Sequence, residues 1–249
     1  MSRRILLTGA AGRVASAFRE YAGDRYWLRL ADRATEKLAN ARSQEQEIFE
    51  LDIADLEACQ IACKDIDTVI HLAADANEKA TFYESLLDNN VKGVYNIFRA
   101  AKDQGCQRVI FASSIRAVEA YPLDTQVHPS MPVHPIDMYG ACKCFGEAVA
   151  SYFAYREGLS SIAIRIGAFD KVPPPGQQLS ARNLSAFISR RDISHLLVQC
   201  VEMPDIQFAL VHGVSNNRFK RIDLTETREL LNYQPQDDAF EIFDIGLHG

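Results

Sequence analysis

The chain alternates short runs of branched apolar residues with longer stretches in which apolar positions recur every three or four residues. The short runs predict buried strands, which lie at residues 5–8, 27–31, 47–51, 68–72, 108–112 and 161–166. The longer stretches predict helices at residues 13–21, 55–63, 81–103 and 139–157. Because strand and helix alternate, the pattern predicts an α/β fold with a Rossmann-type doubly wound parallel sheet and right-handed crossovers.

The regular alternation ends near Gly167. Beyond the breaker PPPG at residues 173–176, the pattern predicts helices at 185–189 and 192–202 and a strand at 207–213. We therefore expect a Rossmann domain over residues 1–167 and a small C-terminal substrate-binding region over residues 168–249. We expect this second part to be interleaved with the first and not to form an independent domain.

Composition and charge narrow the classes of function. The chain has 47% apolar residues, enough for a core, and its formal charge of −6 is unlike the basic footprint of a nucleic-acid-binding protein. No apolar run reaches the length of a membrane span, and the N-terminal run is too short for a signal peptide. We therefore expect a cytoplasmic protein with no nucleic-acid or membrane partner. The six cysteines show no zinc spacing, so we expect reduced thiols and no metal site.

The first predicted strand runs into a glycine turn, G-x-x-G-x-x-A, that opens the first helix. Glycine permits a tight turn and lets the backbone approach a pyrophosphate at the positive helix N-terminus. A turn of small residues after a strand can also be purely structural, so the turn alone leaves both interpretations open. As part of a cofactor site it would comprise Gly9, Ala11, Gly12, Arg13 and Val14.

An acidic residue follows at the spacing expected of a dinucleotide site. Asp32 lies about 20 residues past the turn, where a carboxylate can accept hydrogen bonds from both hydroxyls of an adenosine ribose. The same carboxylate would repel a 2′-phosphate, so we predict NAD as the cofactor. The guanidinium of the adjacent Arg33 can tolerate a phosphate, which leaves additional use of NADP open.

The ends of the third and fourth strands offer further cofactor contacts. Asp52 can either cap the next helix or touch the adenine, with Ile53 beside it. The small side chains of Leu72-Ala73-Ala74 would let the backbone pass close to a cofactor, although a surface turn is the alternative. We include these five residues in the predicted cofactor site.

Three residues at the fifth strand and the following helix can carry chemistry. Ser114 ends the strand, Tyr139 begins the helix and Lys143 follows one turn later. A phenol with an ordinary pKa near 10 is a poor base at neutral pH, and a neighbouring ammonium and an oxidised nicotinamide would favour its anion. We expect Tyr139 to take the proton of a substrate hydroxyl as hydride leaves the same carbon. Ser114 would hold that oxygen, and Lys143 would also bind the nicotinamide ribose. Each residue alone has a structural interpretation, but their joint occurrence with the turn and the acid favours cofactor chemistry.

The chain resembles the extended short-chain dehydrogenases/reductases, the NAD-dependent epimerase/dehydratase family. The resemblance spans residues 3–167 and follows the motif order TGAAGRVA, LRLAD, LDIAD, HLAA, NNVKG, FASS, YGACK and RIG. It implies an NAD-dependent oxidoreductase acting on CH–OH, with Ser114, Tyr139 and Lys143 as the catalytic residues. It also places Asn90 and Ile166 among the residues near the cofactor.

Within that family the chain is most similar to the uronate (hexuronate) dehydrogenases, which oxidise the anomeric hydroxyl of glucuronate or galacturonate with NAD. The phrases LRLAD, FASS, YGACKCFGE and RIG carry this resemblance, together with ARNLS at 181–185. It implies a small sugar acid as substrate, with its carboxylate bound by Arg182 through a fork of donors. An exposed loop arginine is the alternative for Arg182.

Several positions depart from the uronate dehydrogenase pattern. After the catalytic serine those enzymes have an asparagine and a histidine that contact the sugar, whereas this chain has Ile115 and Arg116, which we still place in the substrate site. Two serines that touch the substrate correspond to Ala76 and Ala168. Losing polar contacts changes which hydroxyls are recognised. Another small hydroxylated anion, bound by Arg182 and Arg116, is therefore also open.

The same residues are compatible with two other functions. An NAD-dependent epimerase or reductase of the same family would use the same three catalytic residues, and an epimerase would return the hydride and keep its cofactor. A sensor of the NAD redox state would bind the cofactor without turnover. A dehydratase is disfavoured, because that branch carries an Asp-Glu pair soon after the serine, whereas this chain has Ile115 and Arg116 there.

Relatives pair through helices that correspond to residues 81–103 and 139–157, so the resemblance implies a homodimer.

Overall fold

The centre of the molecule is one parallel sheet. The computed structural model describes residues 2–41, 46–77, 79–174 and 177–245. The strands in these ranges are β1 (Arg4–Thr8), β2 (Trp27–Asp32), β3 (Gln46–Glu50), β4 (Thr68–His71), β5 (Arg108–Ser114), β6 (Ser160–Ile166), β7 (Ala168–Phe169), β8 (Phe187–Ile188) and β9 (Phe208–Gly213). Seven of them form a sheet in the order β3-β2-β1-β4-β5-β6-β9, and every neighbouring pair is parallel. This order contains the Rossmann order 3-2-1-4-5-6, so the predicted fold class is confirmed.

Helices cover both faces of the sheet. They are α1 (Arg13–Ala22), α2 (Leu56–Cys63), α3 (Gly93–Asp103), α4 (Met138–Glu157), α5 (Ala181–Ser185), α6 (Arg190–Glu202), α7 (Thr225–Leu231) and α8 (Ala239–Ile242). On one face α1 packs against α6, and on the other α3 packs against both α2 and α4. Each face has its own hydrophobic cluster, as expected for a sheet wound on both sides. Among the described residues, no helix has the length and apolarity needed to cross a bilayer.

Two of the predicted helices differ from the structure. The helix predicted at 81–103 is helical throughout, but its first part, Phe82–Lys92, has the wider π-helical hydrogen bonding before α3 begins. The helix predicted at 185–189 is wrong, since α5 ends at Ser185 and β8 follows. Strand pairing overrides local propensity there, because β8 pairs with β7 and both of its residues are buried.

The C-terminal region is tied into the central sheet. The strand predicted at 207–213 forms β9, which pairs with β6 and extends the sheet at that edge. Of the other C-terminal elements, β7 pairs with β8, α6 packs against α1, and α7 packs against β9 and α6. Two residues of the predicted breaker, Pro175 and Gly176, lie outside the described ranges.

Close contacts position α4 against the sheet. Asp137 is its N-cap, with Oδ1 accepting a hydrogen bond from the Gly140 amide at 2.7 Å. A side chain at Gly140 would meet the carbonyl oxygen of Arg116, and one at Gly146 would meet the ring of Phe111 in β5. The absence of side chains at these two positions therefore lets α4 lie close to β5 and to the turn that follows it.

A buried ion pair joins α4 to β5 and β6. The guanidinium of Arg165, 1% exposed, donates from Nε and Nη2 to the two carboxylate oxygens of Glu147 at 2.9 and 2.8 Å. The Ser113 hydroxyl donates to the same carboxylate at 2.5 Å. Both charges are therefore paired and hydrogen-bonded, which a buried ion pair requires.

Replacing one partner of this pair should destabilise the protein strongly. Glu147→Leu would leave the Arg165 charge buried without its carboxylate, so we expect the free energy of unfolding to fall by about 3–5 kcal/mol in urea titrations. The matched control is Glu157→Leu on the same helix, whose carboxylate pairs with Arg99 at 3.3 Å near the surface. We expect this control to cost about 1 kcal/mol or less. Equal losses in the two variants would contradict the role assigned to the buried pair.

Candidate active site

Two adjoining clefts open at the carboxyl edge of the sheet, and Gly9 lines both. The first lies over the ends of β1, β2 and β3 and is lined by Gly9, Ala31, Asp32, Arg33, Leu51, Ile53, Ala73, Ala74 and Asn89. The second lies over β1, β5 and β6 and is lined by Gly9, Gly12, Arg13, Val14, Ala15, Leu72, Ala74, Ala76, Ala112, Ser113, Ser114, Tyr139, Lys143, Ile166, Gly167 and Phe169. This edge is where open α/β sheets bind ligands.

The glycine turn is held in one shape by backbone geometry and by a carboxylate. Gly9 has a φ of +67°, and a Cβ there would lie 2.8 Å from the amide nitrogen of Ala73. Both the backbone conformation and the lack of space therefore exclude a side chain at this position. The Asp32 carboxylate accepts hydrogen bonds from the amides of Ala11 at 3.0 Å and Ala34 at 2.9 Å. Each carboxylate oxygen retains a further acceptor site, so Asp32 can organise the turn and still bind a ribose.

A buried hydrogen-bond chain connects the ends of β1 and β4. The Thr8 hydroxyl lies 2.8 Å from His71 Nδ1 and accepts a hydrogen bond from the Ala73 amide at 3.2 Å. Burial, and to a lesser extent the charge of Lys143, lowers the pKa of His71 to about 3, so the imidazole is neutral at physiological pH. These hydrogen bonds hold the backbone of Leu72 and Ala73 beside Gly9.

The three predicted catalytic residues meet in the second cleft. Lys143, 3% exposed, donates from Nζ to the carbonyl oxygen of Ala112 at 2.8 Å, and Nζ lies 5.3 Å from the centroid of the Tyr139 ring. Ser114 ends β5 and is hydrogen-bonded to the Tyr139 side chain. The helix α4 and the strand β5 thus bring a phenol, a hydroxyl and an ammonium together at one edge of the cleft.

Burial shifts the pKa values of both Tyr139 and Lys143. Burial raises the pKa of Tyr139 to about 12, against an opposing effect of the hydrogen bond with Ser114, and Asp137 raises it further. Burial also lowers the pKa of Lys143 to about 8. Within the chain itself, desolvation of the phenolate is therefore the largest effect on the pKa of Tyr139.

Most of the predicted cofactor residues line the two clefts, but Ala11, Asp52 and Asn90 do not. Asp52 is exposed and accepts a hydrogen bond from the amide of Ala54 at 2.9 Å, whereas Asp55 is the N-cap of α2. The capping role considered for Asp52 is therefore wrong. Asn90, 1% exposed, uses its side-chain amide on the backbone of Asp75, at 2.8 Å as acceptor and 2.9 Å as donor. It thus positions the loop after β4, and its neighbour Asn89 lines the cleft.

Three of the predicted substrate residues do not appear in the lining of the second cleft: Ile115, Arg116 and Arg182. Ile115 is 3% exposed and packs in the hydrophobic core, which corrects its predicted contact with substrate. Arg116 pairs with Asp137 at 2.7 Å through Nη1. It also shares the carboxylate of Glu119 with Arg182, at N···O distances of 3.6 and 2.5 Å respectively.

Sequence reasoning missed several residues that shape the site. Asp137 could have been found as an N-cap before the helix, three residues ahead of a glycine. Glu147 lies one turn beyond Lys143, but its pairing with Arg165 crosses from a helix to a strand. Glu119 carries no local signal, because its contact with Arg182 depends on the tertiary fold.

The described residues fit a bound dinucleotide. Gly9 and Gly12 carry no side chain and their neighbours in the turn are alanines, so the backbone at the N-terminus of α1 can approach a pyrophosphate closely. Asp32 faces the first cleft, as a ribose-binding carboxylate should. Arg13, the first residue of α1, lines the second cleft and donates from Nη2 to the carbonyl oxygen of Asp170 at 2.7 Å.

Comparisons with known proteins agree with this geometry. The model of the NAD dependent epimerase/dehydratase family matches residues 5–195. A NAD-dependent glucose-6-phosphate dehydrogenase of Haloferax volcanii is 34% identical, over 97% of this chain and 96% of its own length. A uronate dehydrogenase of Pseudomonas putida is also 34% identical, over 95% of this chain and 85% of its own length.

A solved structure is similar over almost the whole chain. It is a mutant of the uronate dehydrogenase of Agrobacterium tumefaciens in complex with NAD, at 31% identity and a TM-score of 0.85. The alignment covers 97% of this chain and 87% of that one. These comparisons confirm the predicted resemblance to uronate dehydrogenases and the prediction of NAD as cofactor.

The glycine turn offers a direct test of the cofactor site. Gly9→Ala would place a Cβ 2.8 Å from the backbone of Ala73 at a φ of +67°, so we expect NAD affinity to fall at least about tenfold in calorimetric titrations. Gly105→Ala is the matched control, because Gly105 has a φ of +76° and open space around it. It should lose about 1–2 kcal/mol of stability from backbone strain and bind NAD normally. Unchanged NAD affinity in Gly9→Ala would exclude this turn from the cofactor site.

Proposed function

The chain belongs to the NAD dependent epimerase/dehydratase family, and on this premise we propose that it is a dehydrogenase that oxidises a hydroxyl of a small sugar acid. The observation that carries the proposal is the meeting of Ser114, Tyr139 and Lys143 at the same cleft as the glycine turn. The names of two relatives, a uronate dehydrogenase and a glucose-6-phosphate dehydrogenase, support an acidic sugar as substrate.

The residues of the second cleft have separate parts in this reaction. Tyr139 takes the proton of the substrate hydroxyl at its Oη, and the Ser114 hydroxyl orients the substrate oxygen by hydrogen bonding. Lys143 is held by the Ala112 carbonyl and gives the phenolate a nearby cation. When bound, NAD accepts the hydride that leaves the carbon bearing the hydroxyl. The apolar side chains of Ile166 and Phe169 border the same space and limit the access of water.

The acidic group of the substrate would be bound by Arg116 and Arg182. Both guanidinium groups lie around Glu119, and Arg116 follows the catalytic serine by two positions. Arginine suits this role because its planar fork matches a carboxylate. An epimerase would use the same catalytic residues, but it would not release reduced cofactor, and a sensor would show no turnover.

The proposal predicts that purified protein accumulates NADH with glucuronate or galacturonate, followed by absorbance. Tyr139→Phe removes the base, so we expect kcat to fall by about 10²–10⁴-fold while NAD still binds. The matched control is Tyr83→Phe, since Tyr83 is 84% exposed on Phe82–Lys92, and it should retain activity. NAD binding without NADH production from any sugar acid would reject the dehydrogenase in favour of the epimerase or the sensor.

We also propose a homodimer formed through α3 and α4 and a cytoplasmic location. Large side chains project from these two helices: Tyr95 is 45% exposed, Phe145 38%, Tyr152 52% and Tyr155 60%. Exposed aromatic residues on adjacent helices are typical of interfaces. The cytoplasmic location is supported by the six free cysteines, five of which are buried.

Light scattering tests the homodimer. The chain has a mass of 27.9 kDa, and we expect twice this mass at micromolar concentration. Tyr152→Lys would place a charge in the proposed interface, so the measured mass should fall towards that of one chain. Tyr21→Lys, at a residue 51% exposed on α1, is the control and should leave the dimer intact. A monomer of the unsubstituted protein would rule out the dimer.

A further inference from the structure

Glu119 lies between two arginines that the substrate would also use. Its side chain is 12% exposed, and Oε2 contacts Nη2 of Arg182 and Nε of Arg116. Glu119 stands three residues after Arg116 along the chain, whereas Arg182 reaches it from α5 in the C-terminal region. One carboxylate of the chain therefore already faces both guanidinium groups.

The other donors of Arg182 are also directed at the protein. Nη1 donates to the side-chain oxygen of Asn183 at 2.7 Å. Nε is buried and finds no hydrogen-bond acceptor within the described ranges. An incoming carboxylate thus meets a guanidinium whose Nη2 is paired with Glu119, and it must share or displace that pair.

A third arginine lies near Glu119. Arg221, 4% exposed, lies close enough for its charge to interact with both Glu119 and Arg182. Its own guanidinium donates to backbone carbonyls, including that of Pro122 at 2.9 Å, so its charge is not cancelled by those contacts. Asp137 is engaged with Arg116 and with the N-terminus of α4. Removing the charge of Glu119 would therefore leave Arg182 without its carboxylate partner, whereas Arg116 would stay paired with Asp137.

The group around Glu119 is connected to the catalytic residues but lies outside the cleft that they line, which suits a role in substrate specificity. The Arg116 amide donates to the Ser114 hydroxyl oxygen at 3.2 Å, and the charge of Arg116 interacts with Tyr139. The group around Glu119 is therefore attached to the catalytic residues through Arg116. It remains outside the lining of the cleft where the chemistry takes place.

We propose that Glu119 is a specificity-determining residue that competes with the acidic group of the substrate for Arg116 and Arg182, so that the enzyme discriminates only weakly between acidic and neutral sugars. The inference rests on the proposed function. A carboxylate fixed in the chain lowers the gain from binding a second carboxylate, because the two repel each other and share the same donors. A neutral sugar meets no such repulsion and can hydrogen-bond to the group.

Galacturonate and galactose test this directly, because they differ only in a carboxylate or a hydroxymethyl group at one carbon. The measured quantity is the ratio of kcat/KM for galacturonate to that for galactose. We expect Glu119→Gln, which keeps the shape and removes the charge, to raise this ratio about tenfold or more, mainly through KM for galacturonate. Glu119→Asp keeps the charge and should stay near the unsubstituted protein.

Two further variants separate specificity from structure. In an Arg182→Gln background, Glu119→Gln should give a much smaller gain, because the two residues act on the same group. Glu202→Gln is the matched control, since this carboxylate pairs with Arg3 at 3.8 Å and accepts a hydrogen bond from Tyr26 far from the clefts. Its ratio should not change. A ratio for Glu119→Gln within about twofold of the unsubstituted protein overturns the inference.

Calorimetric binding of galacturonate to the NAD-loaded protein distinguishes the inference from the proposed function. Tighter binding to Glu119→Gln without turnover of either sugar would reject the dehydrogenase and uphold the competition by Glu119. Turnover of galacturonate with an unchanged affinity and ratio in Glu119→Gln would uphold the dehydrogenase and reject the competition. Absence of galacturonate binding in both proteins would reject both.

Discussion

The position of α4 depends on a buried ion pair, and the chemistry of the site depends on α4. Arg165 on β6 and Ser113 on β5 both hold Glu147, which lies on α4 one turn beyond Lys143. At the start of the same helix, Asp137 holds the first turn and Arg116 together. Tyr139 and Lys143 lie between these two attachments, so their geometry relative to Ser114 is set by the sheet.

Gly9 is the second constraint, because it lies, with Ala74, where the two clefts meet. Its backbone approaches Ala73 so closely that no side chain fits, and the chain Thr8–His71–Ala73 keeps that approach in place. Asp32 braces the other side of the turn through the Ala11 amide. A dinucleotide can therefore run from the ends of β2 and β3 to Tyr139 over a surface made mostly of backbone and small side chains.

Local patterns were sufficient to predict the alternating fold, the family, NAD and the meeting of Ser114, Tyr139 and Lys143. Each of these follows from short motifs at the ends of strands, and the parallel sheet brings those ends to one edge. Two of the predictions that failed involve contacts between distant segments. Phe187 and Ile188 became a strand because β7 was available to pair with them, and Ile115 turned into the core.

The pKa values of Tyr139 and Lys143 could not be predicted from the sequence either. The spacing of Tyr139 and Lys143 predicts a cation beside a phenol, but the size of the effect depends on how deeply both are buried. In the structure burial dominates and moves both pKa values towards the neutral forms. The pairing of Glu119 with Arg182 could not be foreseen either, since it joins a loop after β5 to a helix in the C-terminal region.

In the proposed reaction Tyr139 is a buried base that becomes ionisable when the positively charged nicotinamide ring is bound beside it. The direct test is the ultraviolet difference titration of the protein against Tyr139→Phe, with and without NAD, which isolates the tyrosinate signal of one residue. Without NAD, burial should keep Tyr139 protonated up to about pH 10 or beyond, and with NAD its ionisation should appear below about pH 9. The same titration curve with and without NAD would contradict this account.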